Sequence, residues 1–139
     1  MNYLLDTCVL SEFTKRQPNP QVVRWVAEAD ESMLFLSAIS IGEIRRGIEK
    51  MPAGRHKEEL TVWFNDRVLR RFGDRILPFD AQTMLLWGAL TARLEAHGAP
   101  MLVFDSLIAV TAQTHNLTLV TRNEDDFANA GVILVNPWK

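Results

Sequence analysis

Cysteine occurs once in this chain of 139 residues, at Cys8, so no internal disulfide can form; that pattern is expected of a reducing cytoplasm. No apolar run approaches the roughly 20 residues that span a bilayer. The first residues read as a strand rather than a secretory leader, and no membrane contact is expected. Surplus positive charge is lacking too: 15 Lys and Arg stand against 17 Asp and Glu, for a net charge of −2. A general nucleic-acid coat protein takes most of its affinity from a basic excess, so that class is set aside. An enzyme with local basic patches is not. There is no Gly-rich phosphate loop. Two phosphatase signatures fail as well, because the second residue after Asp6 is Cys8 rather than Asp, and the sixth after Cys8 is Thr14 rather than Arg. Cys8 therefore reads as a small, partly buried side chain rather than a nucleophile.

What is present suits one domain, residues 1–139, with 47% hydrophobic residues to build a core. Tyr3-Leu4-Leu5, Met33 to Leu36, Ile76-Leu77, Leu117 to Val120 and Ile133 to Val135 are short apolar blocks that read as strands. Between them lie helical patterns at Thr7 to Phe13, Asn19 to Ala29, Ile39 to Ile48, Arg55 to Phe72, Asp80 to His97 and Asp105 to His115. Ser37 and Asp80 suit N-caps, Pro52 and Gly54 break a helix, and Gly98 suits a left-handed C-terminal turn. Strands alternating with helices indicate an α/β fold around a mainly parallel sheet, in which ligands bind beyond the carboxyl ends of the strands.

Four acids fall at positions such a fold would bring together: Asp6 directly after a strand, Glu43 within an apolar helix, Asp105 at a helix start, and Asp126 after a later strand. Asp6 is expected to project from the sheet edge. Asn123 and Asp126 should share one helical face, with Asp125 turned elsewhere. Gly47, one turn beyond Glu43, should permit a close approach. Each acid has a plainer explanation: Asp6 and Asp105 as N-caps, Glu43 as an i,i+3 partner of Arg46, Asp126 as loop acid. Those explanations do not account for convergence. Gathered carboxylates repel and desolvate badly unless a cation holds them, and oxygen donors select a hard divalent ion such as Mg2+ or Mn2+. Metal-assisted attack on a phosphate follows, with one or two ions (about 3.5–4 Å apart if two) and no histidine required. His56, His97 and His115 read as surface residues. The basic residues from Arg45 to Lys50 and from Arg55 to Arg75 read as solvated helix faces.

The same residues resemble PIN-domain proteins. Leu4-Leu5-Asp6-Thr7-Cys8-Val9-Leu10-Ser11-Glu12 is similar to their opening motif, with Cys8 where Asn is usual. Ser37 to Ile44 resembles the second motif, Phe104 to Ala109 the third, and Leu119 to Asn123 with Asp126-Phe127 the fourth. Asn136-Pro137-Trp138 is similar to the ending of the VapC and FitB branch. The resemblance covers essentially the whole chain. It implies a three-layer PIN-like fold, with a mainly parallel sheet of about four to five short strands flanked by helices. It further implies a cytoplasmic, Mg2+-dependent endoribonuclease toxin of a type II toxin–antitoxin pair, cutting a tRNA or rRNA loop. Such toxins are homodimers, and form heterotetramers or larger assemblies with a VapB- or FitA-like antitoxin that carries the DNA contact. Residue by residue, Asp6, Glu43 and Asp105 match the family's three firm acids. The fourth place is assigned to Asp126, with Asn123, where one branch of the family carries Asp, and Thr121 as neighbours and Thr7 as a further candidate. The alternative is a non-catalytic partner of the antitoxin that serves only transcriptional autoregulation.

Overall fold

A strand of two to four residues is too short to stand alone, and here five such pieces share one sheet. The computed structural model describes residues 1–139. Its strands are β1 (Tyr3–Leu5), β2 (Leu34–Ser37), β3 (Ile76–Leu77), β4 (Thr118–Val120) and β5 (Leu134–Val135). They form one parallel sheet in the order β3-β2-β1-β4-β5. β1 is central, pairing Leu4 with Phe35 on one side and with Leu119 on the other.

Successive residues of a strand face opposite sides, and the core divides accordingly. Leu4 and Leu119 join one apolar cluster with Leu90, Leu94, Ile108 and Phe127. Leu5 and Val120 join the other, with Val9, Val22, Ile44, Ile48 and Phe64. Helices α5 (Ala81–Ala96) and α6 (Val103–Thr114) cover the first face. The second is covered by α1 (Thr7–Glu12), α2 (Pro20–Glu28), α3 (Ala38–Glu49) and α4 (Arg55–Trp63). This is the expected three-layer arrangement, with both faces of the parallel sheet buried.

Local chemistry sets most of the boundaries. Ser37 caps α3 by accepting from the Ile39 N–H, Asn19 caps α2 through Gln21, and Asp80 caps α5 through Thr83. Gly98 takes φ +70° after α5. The stretch read as a single helix to Phe72 instead passes through a π-helical turn, Phe64–Arg70, which still buries Phe64 and Val68. β2 begins at Leu34 rather than Met33, because Glu31–Met33 close a 3₁₀ turn capped by Asp30. The basic segments behave as solvated faces: Arg45 pairs with Glu49, Arg55 with Glu59, and Arg71 with Glu31.

Candidate active site

The carboxyl ends of β1, β2 and β4 lie side by side, and the segments that follow them carry Asp6, Glu43 and Asp126, while Asp105 comes from the first turn of α6. Asp6 does not project outward as expected. Its backbone N–H continues the ladder to Val120 O at 2.9 Å, so the residue stays within the sheet and is only 5% exposed. Its side chain is fully engaged. Oδ1 accepts from the Thr7 N–H at 2.8 Å, as an N-cap does, and Oδ2 accepts from Thr121 Oγ1 at 2.7 Å. The Cys8 thiol lies 3.6 Å from the same Oδ2. Burial pushes the Asp6 carboxyl above its ordinary range. The bonds from Thr121, Thr7 and Cys8 oppose that rise, and Glu43 adds to it.

Glu43 reaches the site from α3. It forms no pair with Arg46; its Oε1 accepts the Thr7 hydroxyl at 2.7 Å. Thr7 Oγ1 also lies 2.7 Å from Ser40 Oγ, which is fully buried. With Thr7 donating to Glu43, Ser40 donates to Thr7, and the relay fixes α1 against α3. Within the chain Gly47 marks no close approach, since a side chain there would meet nothing within 4 Å.

Asp105 is not a helix cap. α6 begins at Val103 with Leu102 in the cap position, so Asp105 is the third helical residue. Its carboxyl is pushed up to about 6, first by desolvation, then by the charges of Asp6, Asp126 and Glu43. Asp6, Asp126 and Glu43, delivered by three other segments, thus each lie within electrostatic reach of Asp105. Asp126 comes from a 3₁₀ turn, Glu124–Phe127, whose N-cap is Asn123. Asp125 is not turned away; with Asp105, Asp126 and Asn129 it lines a polar cleft of about 200 Å3. No three acids, histidines or cysteines converge tightly enough to enclose an ion by themselves. His97 and His115 are exposed and His56 is partly so, and none belongs to the site. Burial, then the Asp6 charge, push the Cys8 thiol up to about 11, so it is no nucleophile.

Sequence reasoning missed Ser40, Asp125 and Glu12. Glu12 had a signal: it is an acid on the inner face of α1, beside Val9 and Leu10, where burial demands partners. A larger cavity of about 580 Å3 is lined by none of the four acids. It is apolar, lined by Leu10, Phe13, Val26, Trp63 and Phe72, with Arg67 also on its wall.

Known proteins share this architecture. The chain is 36% identical over 135 residues to Toxin FitB of Neisseria gonorrhoeae, covering 97% of each. It is 34% identical over 136 residues to VapC ribonuclease Y4jK of Sinorhizobium fredii, covering 98% of this chain and 97% of that one. A solved structure described as FitAB bound to an IR36 DNA fragment superposes with a TM-score of 0.93 at 35% identity, over 99% of this chain and 96% of that one. A family model described as PIN domain matches residues 3–133. Because that match runs from β1 almost to β5 and takes in every segment that delivers an acid, the chain belongs to the PIN-domain family.

Proposed function

We propose that this protein is a metal-dependent endoribonuclease, the toxin of a type II toxin–antitoxin pair, with Asp6, Glu43, Asp105 and Asp126 as its working acids. The observation that carries the reading is the Asp105 carboxyl, held near 6 by burial and by the other three acids. Carboxyls raised by burial and by neighbouring charges cluster at functional sites. The relatives named as a toxin and as a VapC ribonuclease support the same reading.

The donor set fits a hard divalent cation such as Mg2+ or Mn2+, because it is made of carboxylate oxygens with Thr7, Thr121 and Asn123 beside them. The open spacing suits an ion that keeps several of its own waters and touches only one or two carboxylates at a time. When bound, such an ion supplies a hydroxide-like nucleophile and offsets charge on the phosphate. The chain's own residues do the positioning. Thr121 and the Thr7 N–H fix the Asp6 carboxylate, and the Thr7 hydroxyl fixes Glu43. Asp105 and Asp126 line the polar cleft of about 200 Å3, while Asp6 and Glu43 lie outside its lining. The substrate loop belongs to a structured RNA such as a tRNA or rRNA.

The partners follow from the same reading. Similar structures are described as FitAB bound to a DNA fragment and as a toxin-antitoxin complex from Klebsiella pneumoniae, which supports a small DNA-binding antitoxin for this chain. The 580 Å3 apolar groove suits an amphipathic antitoxin segment, with Arg67, which forms no ion pair, offered to an acidic side chain. Exposed Leu85, Leu102, Val103 and Phe104 support a homodimer closing beside Asp105. No helix is long and apolar enough to cross a membrane.

The test is incubation of total cellular RNA with purified, antitoxin-free protein, with Mg2+ or Mn2+ and with chelator. Cut ends that require the metal and vanish in Asp6→Asn are expected. Uncut RNA under every condition, with growth inhibition unaffected by Asp6→Asn, would leave the chain as a non-catalytic partner of the antitoxin.

A further inference from the structure

Arg122 stands between Thr121, which donates to Asp6, and Asn123, whose N–H returns to Thr121 Oγ1 at 3.0 Å. Its backbone is tethered on both sides. The Arg122 N–H points to Cys8 Sγ at 3.5 Å, and its carbonyl accepts from Asn136 Nδ2 at 3.5 Å. The residue is exposed, yet its guanidinium forms no ion pair. The neighbouring acid, Glu124, is already occupied by Lys139 at 2.7 Å and Asn136 at 3.0 Å.

The guanidinium rests instead over the Trp138 ring, 5.8 Å from its centroid. That ring is held in place from below. Trp138 Nε1 donates to Glu12 Oε1 at 3.2 Å, and the Trp138 N–H donates to Asn136 Oδ1 at 2.9 Å. Glu12 is a carboxylate only 3% exposed that also accepts the Asn19 N–H at 2.9 Å and Lys15 Nζ at 3.0 Å. Burial raises its pKa, but the bonds from Asn19, Lys15 and Trp138 outweigh that and keep it ionised. A buried anion thus fixes an indole, and the indole seats the guanidinium of Arg122, the residue after Thr121.

Stacking on a ring face orients a guanidinium without using its N–H donors, which stay free for a ligand. A fork of such donors matches the oxygens of a phosphate. A chain with net charge −2 and clustered acids repels a polyanion, so a fixed cation on the residue next to Thr121, which holds Asp6, meets a definite need. We propose that Arg122 binds a phosphate of the RNA strand next to the bond that is cut, with Trp138 and Glu12 as positioning residues. This assignment rests on the ribonuclease reading above.

The experiment is a salt titration of binding, in chelator so that nothing is cut, using a short fluorescein-labelled single-stranded oligoribonucleotide of mixed sequence. For single strands each phosphate contact contributes about 0.7 to the slope of log affinity against log salt. Arg122→Gln should lower that slope by about 0.7 and weaken binding about tenfold at low salt, with an unchanged melting temperature. Arg122→Lys should restore the slope and part of the affinity. Trp138→Leu should weaken binding while keeping the slope. An Arg122→Gln slope equal to that of wild type overturns the assignment alone, and loss of antitoxin binding in that variant would place Arg122 at a protein interface instead. Wild-type protein that neither binds this RNA nor cuts cellular RNA overturns the ribonuclease reading, and the assignment with it.

Discussion

Thr121, just past β4, donates its hydroxyl to Asp6, just past β1, across 2.7 Å in the closed interior between the two strands. Thr121→Val keeps the shape and removes the donor, leaving a buried carboxylate short of a partner. Bonds to charged groups contribute about 1.5–3 kcal/mol, so a loss of about 2 kcal/mol is expected. In a chain of this size that lowers the melting temperature by roughly 6 °C. The Asp6 carboxyl is already raised, and losing a bond that lowers it raises it further. The deficit should therefore be full at neutral pH and shrink as the pH falls through the raised Asp6 range, where the carboxyl takes up a proton. Thr121→Ser should recover most of the stability. A deficit that does not change with pH would mean that packing, not the bond to Asp6, accounts for the loss.

Asp105 separates a structural role from a functional one. It accepts no capping bond in α6, and its neighbours are acids. Asp105→Asn removes a charge from a repelling group while keeping the side chain's size. RNA cleavage should be lost, and the melting temperature of chelator-treated protein should hold or rise. A drop of many degrees, seen by calorimetry, would show instead that the charge serves the helix N-terminus.

Gly47 lies inside α3 on an exposed face, with free space where a side chain would stand. Glycine within a helix costs about 0.5–1 kcal/mol relative to alanine. Gly47→Ala should accordingly stabilise the isolated chain by that amount and leave cleavage unchanged. Should the variant melt lower, this face of α3 must touch a second copy or a partner in solution.

Much of this architecture was legible because burial on both sides turns a parallel strand into an unbroken apolar block. Leu4-Leu5 and Leu119-Val120 carry that signature and pair as the pattern implies. Caps were legible where a polar side chain precedes an apolar stripe, as at Ser37 and Asp80. The start of α6 was not. Leu102, Val103 and Phe104 are apolar yet exposed, so they lack the buried periodicity that marks a helix, and Asp105 took on the look of a cap. The four acids could be chosen by position and by family pattern, but not their depth. That Asp6 is buried depends on its N–H continuing the ladder to Val120, a pairing across 114 residues that no local pattern encodes. The seat of Arg122 was equally hidden, since Glu12 and Trp138 meet only once the chain has closed on itself.

The pH dependence of the metal-free protein follows from two raised acids. Asp105 is held at about 6 against an ordinary 3.8, and Asp6 is shifted in the same direction. A carboxyl raised in the folded state binds its proton more tightly there than in the unfolded chain. Both groups therefore oppose folding once ionised, and the penalty grows as the pH rises from about 4 through about 6. Acids with lowered values, such as Glu12 and Asp80, act the other way, but only as the pH drops into and below their ordinary range near 4. Between those regions the raised acids dominate. In chelator, the melting temperature should climb as the pH is lowered from about 7 to about 5, then fall on further acidification. Asp105→Asn should flatten the climb. Saturating Mg2+ should suppress it, because an ion drawn to the ionised acids stabilises the folded state most at the higher pH. A melting temperature that instead rises from about pH 5 to about pH 7 in chelator, with no response to Mg2+, would mean that these acids do not share one field.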